Sequence, residues 1–420
     1  MRPSAFICVL VMTAIAAELS VVRAQSTRRT DGSPASTHVA KQSFDELRAA
    51  AEKGDAEAEF TLGGLYYKGE GVKQDYKESA KWYIKASEQG LWKAQFNLGA
   101  MYEDGLGVPQ SYKKAIEWFT KAAEQNDPSA QFTLGLIYHN GEGVPRNYRL
   151  AMYWFAKAAM RGDPDAQFNL GLMYANGEGN PRDHNEAIKW YSKAAERGDL
   201  RAEYNLGLIY ERGEGVPSNY EKAIEWYKKA SEQGSAGAQN NLGAMYENGR
   251  GVPENPSEAV KWYTKAALKG DAQAQYNLAG MYLRGRGVPL NFKEAATWYM
   301  KAADQDIPAA EYNLAIMYEE GQGVAHDYGE AFQWCTKAAV GGDADAQNEL
   351  AGMYEGGVGV PQDLLRAHMW YALAAAAKGD VQKDASTNLV RIARRMTTQQ
   401  LNQAQEMTRR CLESQYKDCK

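Results

Sequence analysis

The chain has 420 residues, with 48 Lys and Arg against 53 Asp and Glu and a formal net charge of −5. Charges of both signs are interspersed, so no strong field is available to hold a nucleic acid or an anionic membrane. The 10 Trp and 26 Tyr are many for so polar a chain, and nine of the Trp recur at a fixed spacing, which favours a core role for them.

The first 24 residues have the pattern of a secretory signal peptide. Arg2 supplies the positive start, residues 5–17 are an apolar run, and Val22-Arg23-Ala24 fits cleavage after Ala24. The apolar run is too short to span a bilayer, and no other stretch approaches about 20 apolar residues. The pattern predicts an exported chain, periplasmic or secreted from a bacterium, with no integral membrane segment after signal cleavage.

Residues 25–42 are rich in Ser, Thr, Arg and Gly and are predicted to form a flexible leader. Residues 43–54 predict one helix that ends at Gly54 and caps the next part of the chain. Residues 55–380 then repeat with a period of 36 residues, without insertion or deletion until the last copy. A fixed period of this length indicates a solenoid or array, in which each unit buries its apolar face against its neighbours.

Each repeat predicts a helix, a loop and a second helix. In the first copy Asp55 is a candidate N-cap, and helix A is expected at residues 56–68 and is stopped by Gly69. Asp75 is the candidate N-cap of helix B, which is expected to end near Gly90. After the ninth copy, residues 381–420 predict two capping helices, at 384–395 and 397–413, with a mildly basic surface.

The repeat resembles the Sel1-like repeat family, relatives of the tetratricopeptide repeats. In the second copy the family pattern is carried by Leu98-Gly99, Tyr102, Gly105-Leu106-Gly107-Val108, Ala115, Trp118-Phe119 and Lys121-Ala122-Ala123. The resemblance implies an all-α fold, a right-handed α-solenoid of nine 36-residue antiparallel helix pairs with capping helices at both ends. It also implies an adaptor function, because most members bind other proteins.

Motifs of catalysis are missing from the sequence. None of the five His belongs to an HExxH motif or to a Cys/His set with zinc spacing, and no GxSxG, Walker A or EF-hand motif is present. We therefore predict no catalytic residue, metal site or cofactor. One branch of the family has a disulfide in each repeat and is linked to penicillin binding and β-lactamase activity. This chain lacks those pairs, and a β-lactam or cell-wall hydrolase is kept as the alternative function.

Three cysteines remain after the predicted cleavage. Cys335 stands where other copies have Tyr or Phe, so we expect it to be buried and unreactive. Cys411 and Cys419 lie close together in a compartment that permits disulfides. A disulfide between them and two free thiols are both open alternatives.

A candidate partner-binding groove follows if helix A lines the concave surface, as in tetratricopeptide repeats. Helix A would then present a stripe of rings, amides and acids, which suits an extended peptide. We expect the acids to lie on an accessible surface. The alternative is that the rings only pack on a neighbouring helix and the acids form a solvated face. The stripe comprises Phe60, Phe96, Phe132, Phe168, Tyr204, Tyr276 and Tyr312, the amides Asn97, Asn169 and Asn205, and the acids Glu103, Glu211 and Glu247.

These patterns predict an exported scaffold without catalysis of its own. Its expected partner is an envelope, periplasmic or host protein, and no nucleic acid. A purely structural spacer is a third hypothesis. The sequence leaves the oligomeric state open.

Overall fold

The structure is a computed structural model that describes residues 44–416 and Cys419. The predicted signal peptide (1–24), the leader (25–42) and the first residue of the predicted capping helix, Ser43, lie outside these residues. The described residues form 21 helices and no strand. None of these helices is long and apolar enough to cross a membrane.

The helices are short and nearly uniform, with 13 residues in most of them. Their bounds are α1 Phe44–Glu52, α2 Ala56–Lys68, α3 Tyr76–Glu88, α4 Trp92–Asp104, α5 Tyr112–Glu124, α6 Pro128–Asn140, α7 Tyr148–Met160, α8 Pro164–Asn176, α9 His184–Ala195, α10 Leu200–Arg212, α11 Tyr220–Glu232, α12 Ala236–Asn248, α13 Pro256–Leu268, α14 Ala272–Arg284, α15 Phe292–Ala303, α16 Pro308–Glu320, α17 Tyr328–Val340, α18 Ala344–Gly356, α19 Leu364–Ala375, α20 Asp380–Ala393 and α21 Thr398–Glu413.

The predicted all-α solenoid of nine helix pairs is confirmed. Helices α2 to α19 are the nine pairs, with helix A even-numbered and helix B odd-numbered in this numbering. The helix that precedes them is α1, and two helices follow. Helix α20 begins at Asp380, earlier than the predicted 384, because Gly379 takes a positive φ of 113° that turns the chain straight into it.

Capping residues set the helix bounds. The Asp55 carboxylate accepts a hydrogen bond from the amide of Ala58, and Asp75 accepts from the amides of Lys77 and Glu78. Gly69 ends helix A with φ at 73°, a left-handed conformation that a residue with a side chain adopts at a cost. These predicted caps are confirmed, and helix A of the first repeat spans the predicted residues.

The core of each repeat depends on a close approach of helix A and helix B. A Cβ atom at Gly207 would lie 2.4 Å from the ring of Tyr227, which is fully buried at 0% exposure. Only a very small residue leaves room for that ring. All nine residues at this position are buried: Gly63, Gly99, Gly135, Gly171, Gly207, Gly243, Ala279, Ala315 and Ala351.

The chain divides into two compact units, Met1–Asn147 and Tyr148–Lys420. In the first, α1 packs on α2 through a small core that includes Leu47, Ala51 and Leu62. In the second, each helix B packs on helix A of the following repeat, and α20 and α21 both pack on α19. Ile392 and Cys411 belong to the core at that end.

Candidate partner-binding face

Five of the rings predicted on helix A pack against the ring at the centre of helix B in their own repeat, and the helix-B residue at this position in the repeat of Tyr312 is Cys335. Their exposure nevertheless differs. Phe132 and Phe168 are buried, whereas Phe60, Phe96, Tyr204, Tyr276 and Tyr312 keep part of their surface accessible. The centroid distances are 5.7 Å for Phe60–Tyr83, 5.5 Å for Phe96–Phe119, 5.7 Å for Phe168–Tyr191, 6.0 Å for Tyr204–Tyr227 and 5.6 Å for Tyr276–Tyr299.

The residue 33 positions further along the chain, on helix A of the next repeat, lies beside the ring for Phe168 and for Tyr204. Over Phe168 this residue is Arg201, whose guanidinium carbon lies 4.3 Å from the ring centroid. Asp165 and Asp199 hold Arg201 in place through ion pairs. The ring of Phe168 is left only 5% exposed. In this repeat the guanidinium of Arg201, which two carboxylates hold in place, covers the face of the Phe168 ring.

Over Tyr204 the covering residue is Gly237, which has no side chain. A Cβ there would lie 3.3 Å from the nearest atoms of the Tyr204 ring, so the backbone of the next helix A lies beside the ring and leaves part of it accessible. The residue in the same register after Tyr276 is Ala309. The small residues at these two positions distinguish Tyr204 and Tyr276 from the closed ring of Phe168.

The amides of the stripe are used within the fold. Asn97 donates to the hydroxyl of Tyr83 at 3.1 Å, and Asn205 donates to the carbonyl of Arg201 at 2.8 Å. Asn169 is buried and donates to the carbonyl of Asp165 at 2.8 Å. Each of these three side chains therefore uses one N–H within the fold. A ligand could be bound only through the second N–H or the amide oxygen.

The acids are bound to buried tyrosines. Glu211 accepts a hydrogen bond from the hydroxyl of Tyr227 at 2.6 Å, and Glu247 accepts from Tyr263 at 2.7 Å. Their side chains are 23% and 15% exposed. Glu211 and Glu247 are therefore only partly accessible, because a buried phenol needs an acceptor and these carboxylates supply it. Glu103 is also partly buried.

Arginines from the next repeat also contact the carboxylates of Glu211 and Glu247. Arg286 donates to Glu247 at 3.2 Å, and Arg250 lies 3.9 Å from Glu211. At the end of the array Glu355 accepts from Tyr371, Arg391 and Arg395. Burial alone would raise the pKa of Glu355, but the hydrogen bonds from Arg391 and Tyr371 lower it below its ordinary value. The sequence carried a signal for this arrangement, a Glu that stands 16 residues before a Tyr.

Comparison with known proteins identifies the family of these repeats. The model of the Sel1 repeat matches nine consecutive segments that together span residues 56–378. The chain belongs to the Sel1 repeat family. A Sel1 repeat protein from Oxalobacter formigenes is 35% identical over 74% of this chain and 91% of that chain, with a TM-score of 0.65. A protective antigen of uropathogenic Escherichia coli strains, which displays an SLR fold, is 33% identical over 89% of this chain and 88% of that chain, with a TM-score of 0.58. Comparison with curated proteins finds no match.

Sel1 repeats generally serve as non-catalytic scaffolds that mediate protein interactions. In the described part of this Sel1 repeat chain, no group of three or more His, Cys, Asp or Glu is placed to hold a metal ion. Cys335 is buried and donates to the carbonyl of Ala346 at 3.3 Å, and burial raises the pKa of its thiol. A raised thiol pKa disfavours the thiolate that a nucleophilic cysteine needs. Cys411 and Cys419 are joined by a disulfide.

One Sel1 position was not singled out from the sequence. Six repeats carry a buried Gln directly after the first conserved Ala of helix A, and its amide donates to a carbonyl of the preceding helix B. These residues are Gln95, Gln131, Gln167, Gln239, Gln275 and Gln347.

The other three repeats have a Glu at this position. Glu59 accepts a hydrogen bond from Gln89 at 2.7 Å, and Glu203 accepts from Gln233 at 2.9 Å. In the repeat of Glu311 the corresponding residue is Gly341, which has no side-chain amide to donate. Burial raises the pKa of Glu311 to about 7. Because six other repeats carry a buried, structural Gln at the same position, the burial of the Glu311 carboxyl is explained by the packing of the repeats.

The row of lysines on helix B is part of the Sel1 scaffold. Each ammonium lies over the indole ring one turn before it, so the aliphatic stem covers the ring and the charge meets its face. Lys229, for example, lies 4.0 Å from the ring centroid of Trp226, and Lys121 lies 3.9 Å from that of Trp118. This row belongs to the opposite helix of the repeat from Tyr204 and Tyr276.

Proposed function

We propose that this Sel1 repeat chain is an exported scaffold that binds a protein partner along helix A of its repeats. The binding surface, named here the tyrosine column, consists of Tyr204, Asn240, Tyr276 and Tyr312, which stand at one position of four consecutive repeats. The observation that carries the proposal is the accessible edge of Tyr204 beside Gly237, in contrast to the ring of Phe168 that Arg201 closes.

The chemistry of the tyrosine column suits an extended peptide. Partly buried tyrosines supply rigid contact area at a low cost in entropy, and aromatic anchors of this kind contribute much of the affinity of protein interfaces. Asn240 stands between two of the rings and accepts a hydrogen bond from Asn277 of the next repeat at 3.0 Å. Its own N–H groups are of the type that bonds a peptide carbonyl.

The place of action is part of the proposal. The signal-peptide pattern of residues 1–24 supports export, and we propose a periplasmic or secreted protein whose partner is an envelope, periplasmic or host protein. The Escherichia coli relative is a protective antigen, which supports a site of action outside the cytoplasm. No arrangement of the described residues favours the alternative of a β-lactam or cell-wall hydrolase.

Site-specific photo-crosslinking tests the binding surface. A benzophenone amino acid replaces Tyr204 in one variant and Tyr276 in another, and the crosslinked proteins are identified after irradiation of the producing cells. The control places the same group at Tyr153, a helix-B residue that is 50% exposed. We expect one common partner at positions 204 and 276 and not at 153. Crosslinks of equal yield at all three positions, or none at 204 and 276, would overturn the proposal.

Export is tested separately. Cell fractionation and N-terminal sequencing of the chain purified from its own cells should give a mature protein that starts at Gln25 outside the cytoplasm. An uncleaved cytoplasmic chain would contradict export and leave the binding surface to be judged by crosslinking alone.

A further inference from the structure

The helix α20 has the register of helix A although no tenth repeat follows from the sequence pattern. Its inward side packs on α19 as a helix A packs on the preceding helix B. Asn388 donates to Asn348 at 3.2 Å, which matches the bond from Asn277 to Asn240 between two true repeats. The residues Ala385, Leu389 and Ile392 lie 39 positions after Ala346, Leu350 and Met353 of the ninth helix A.

The helix-B place beside α20 is not filled by α21. Where both helices of a repeat lie in the same compact unit, helix A packs on helix B, whereas α21 packs on α19 instead of along α20. In register, Val390 of α20 corresponds to Gly207, which the helix-B ring of Tyr227 covers in the fifth repeat. Val390 is 56% exposed. Around it lies a cleft of about 640 Å³, lined by Lys383, Ser386, Thr387, Val390, Arg391 and Arg394.

At the other end, α1 has the register of a helix B. Leu47, Ala51 and Gly54 precede Tyr83, Ser87 and Gly90 by 36 residues, and both glycines take a left-handed φ, 89° and 91°. Phe44 meets Tyr66 edge to face at 6.2 Å, as Phe332 of helix B in repeat 8 meets Tyr354 at 5.4 Å. Among the residues that the structure describes, no helix A precedes α1.

We propose that α20 of one copy and α1 of a second copy pair as helix A and helix B of one shared repeat, so that the chain associates with itself head to tail. Within a repeat a large ring stands opposite Gly, whereas here the smaller Leu47, which lies in the core with α2 and is 8% exposed, would stand opposite the larger Val390, so that most of the apolar surface covered at this point is that of Val390.

Charge supports a second copy as the occupant. The cleft is lined by Lys383, Arg394 and Arg391, the last of which is paired with Glu355 of its own copy, and the exposed residues of α1 include Asp45 and Glu46, with Arg48 paired to Glu52. Opposite charges across the contact favour this orientation and disfavour two identical ends. The exposed face of α20 around Val390 is named here the seat. Because the two surfaces differ, each added copy leaves one seat and one α1 uncovered, so association continues as the concentration rises.

Sedimentation velocity over a concentration series tests the inference with three variants of the purified chain. Val390→Lys adds a cation to the exposed seat, and Phe44→Lys adds one to α1. Leu412→Lys is the matched control, because Leu412 is an exposed apolar residue of the same terminal region, 49% accessible. We expect the wild type and the control to associate, and each of the other two variants to weaken association by at least about tenfold.

A mixture decides the geometry. The Val390→Lys chain keeps its α1 and the Phe44→Lys chain keeps its seat, so an equimolar mixture should form a one-to-one dimer that neither variant forms alone. Association of the Phe44→Lys chain by itself would show a seat-to-seat contact and overturn the inference. So would a wild type that stays monomeric at all concentrations, or a Val390→Lys chain that associates like the control. Circular dichroism checks that each variant is folded.

Discussion

Two tyrosines of the fifth repeat each meet a glycine, with different consequences. Tyr227 of α11 covers Gly207 of its own repeat and is fully buried. Tyr204 of α10 lies beside Gly237 of the next repeat and keeps part of its ring accessible. The first position is Gly or Ala in all nine copies, and the facing residue is Tyr or Phe in eight of them, whereas the second pairing of Tyr and Gly occurs once. Contacts that recur in every repeat hold the scaffold together, and contacts that change between repeats give it a particular surface.

The largest effect should come from the recurring contact. Tyr227→Ala removes a fully buried ring and should destabilise its own and the adjacent repeats by about 3–5 kcal/mol. Tyr204→Ala removes a partly exposed ring and should cost roughly 1–2 kcal/mol. Hydrogen exchange followed by mass spectrometry measures both as a local loss of protection. Equal losses for the two variants, or a loss spread evenly along the array, would contradict this distinction.

The buried contact between consecutive repeats can also be probed by pH. Glu311 occupies a position at which six repeats have Gln, and burial raises its pKa to about 7 from an ordinary 4.5. Lys337 favours its charge, whereas Asp306 and Asp343 oppose it. Its contribution to stability is therefore complete below about pH 4.5 and is lost as the pH rises through 7. The loss is on the order of 2–3 kcal/mol in the free energy of local unfolding.

Glu311→Gln should remove this pH dependence and stabilise the repeat at pH 8. The control is Glu320→Gln, an exposed change on the same helix. Local stability from hydrogen exchange at several pH values, corrected for intrinsic rates, measures the difference. A Glu311→Gln chain with the wild-type pH profile would show that Glu311 is not the group responsible.

A smaller effect is expected where a tyrosine hydroxyl meets its acid. Tyr227→Phe keeps the ring over Gly207 and removes the hydrogen bond to Glu211, which should cost about 1–2 kcal/mol. The matched change Tyr191→Phe removes a hydroxyl in a repeat that has Ala175 in place of the acid, and should cost less. Thermal unfolding of the two variants measures the difference, and identical costs would argue against a net contribution of the Glu211 bond.

The smallest effect on stability should accompany the largest effect on binding. Gly237→Gln introduces a long side chain beside Tyr204, and Gln is what the next repeat carries at this position, in Gln273. Gln favours a helix over Gly by roughly 0.5–1 kcal/mol, so thermal stability should rise slightly or stay unchanged. Crosslinking to the partner at position 276 should fall by about tenfold, as expected for a covered anchor. Lys228→Gln, on the exposed side of helix B, is the control.

The scaffold follows from the sequence because its causes are local and repeated. Gly207 and Asp75 stand in patterns seen nine times and Asp55 in one seen seven times, so their roles in packing and capping could be predicted. The accessibility of Tyr204 and Glu211 could not, because it depends on residues 33 and 16 positions away on another helix. The closure of Phe168 needed Arg201 together with its two Asp partners, a combination without a repeated pattern. The unfilled seat of α20 likewise depends on where α21 packs.

The equal length of the helix pairs has an evolutionary consequence. Since the period is 36 residues and the helices have nearly the same length in every repeat, an in-frame duplication or loss of whole repeats keeps the spacing of the remaining helices. Such an event would lengthen or shorten the tyrosine column and bring different covering residues next to its rings. New binding specificities could therefore arise by recombination within the gene, before any point mutation at the surface.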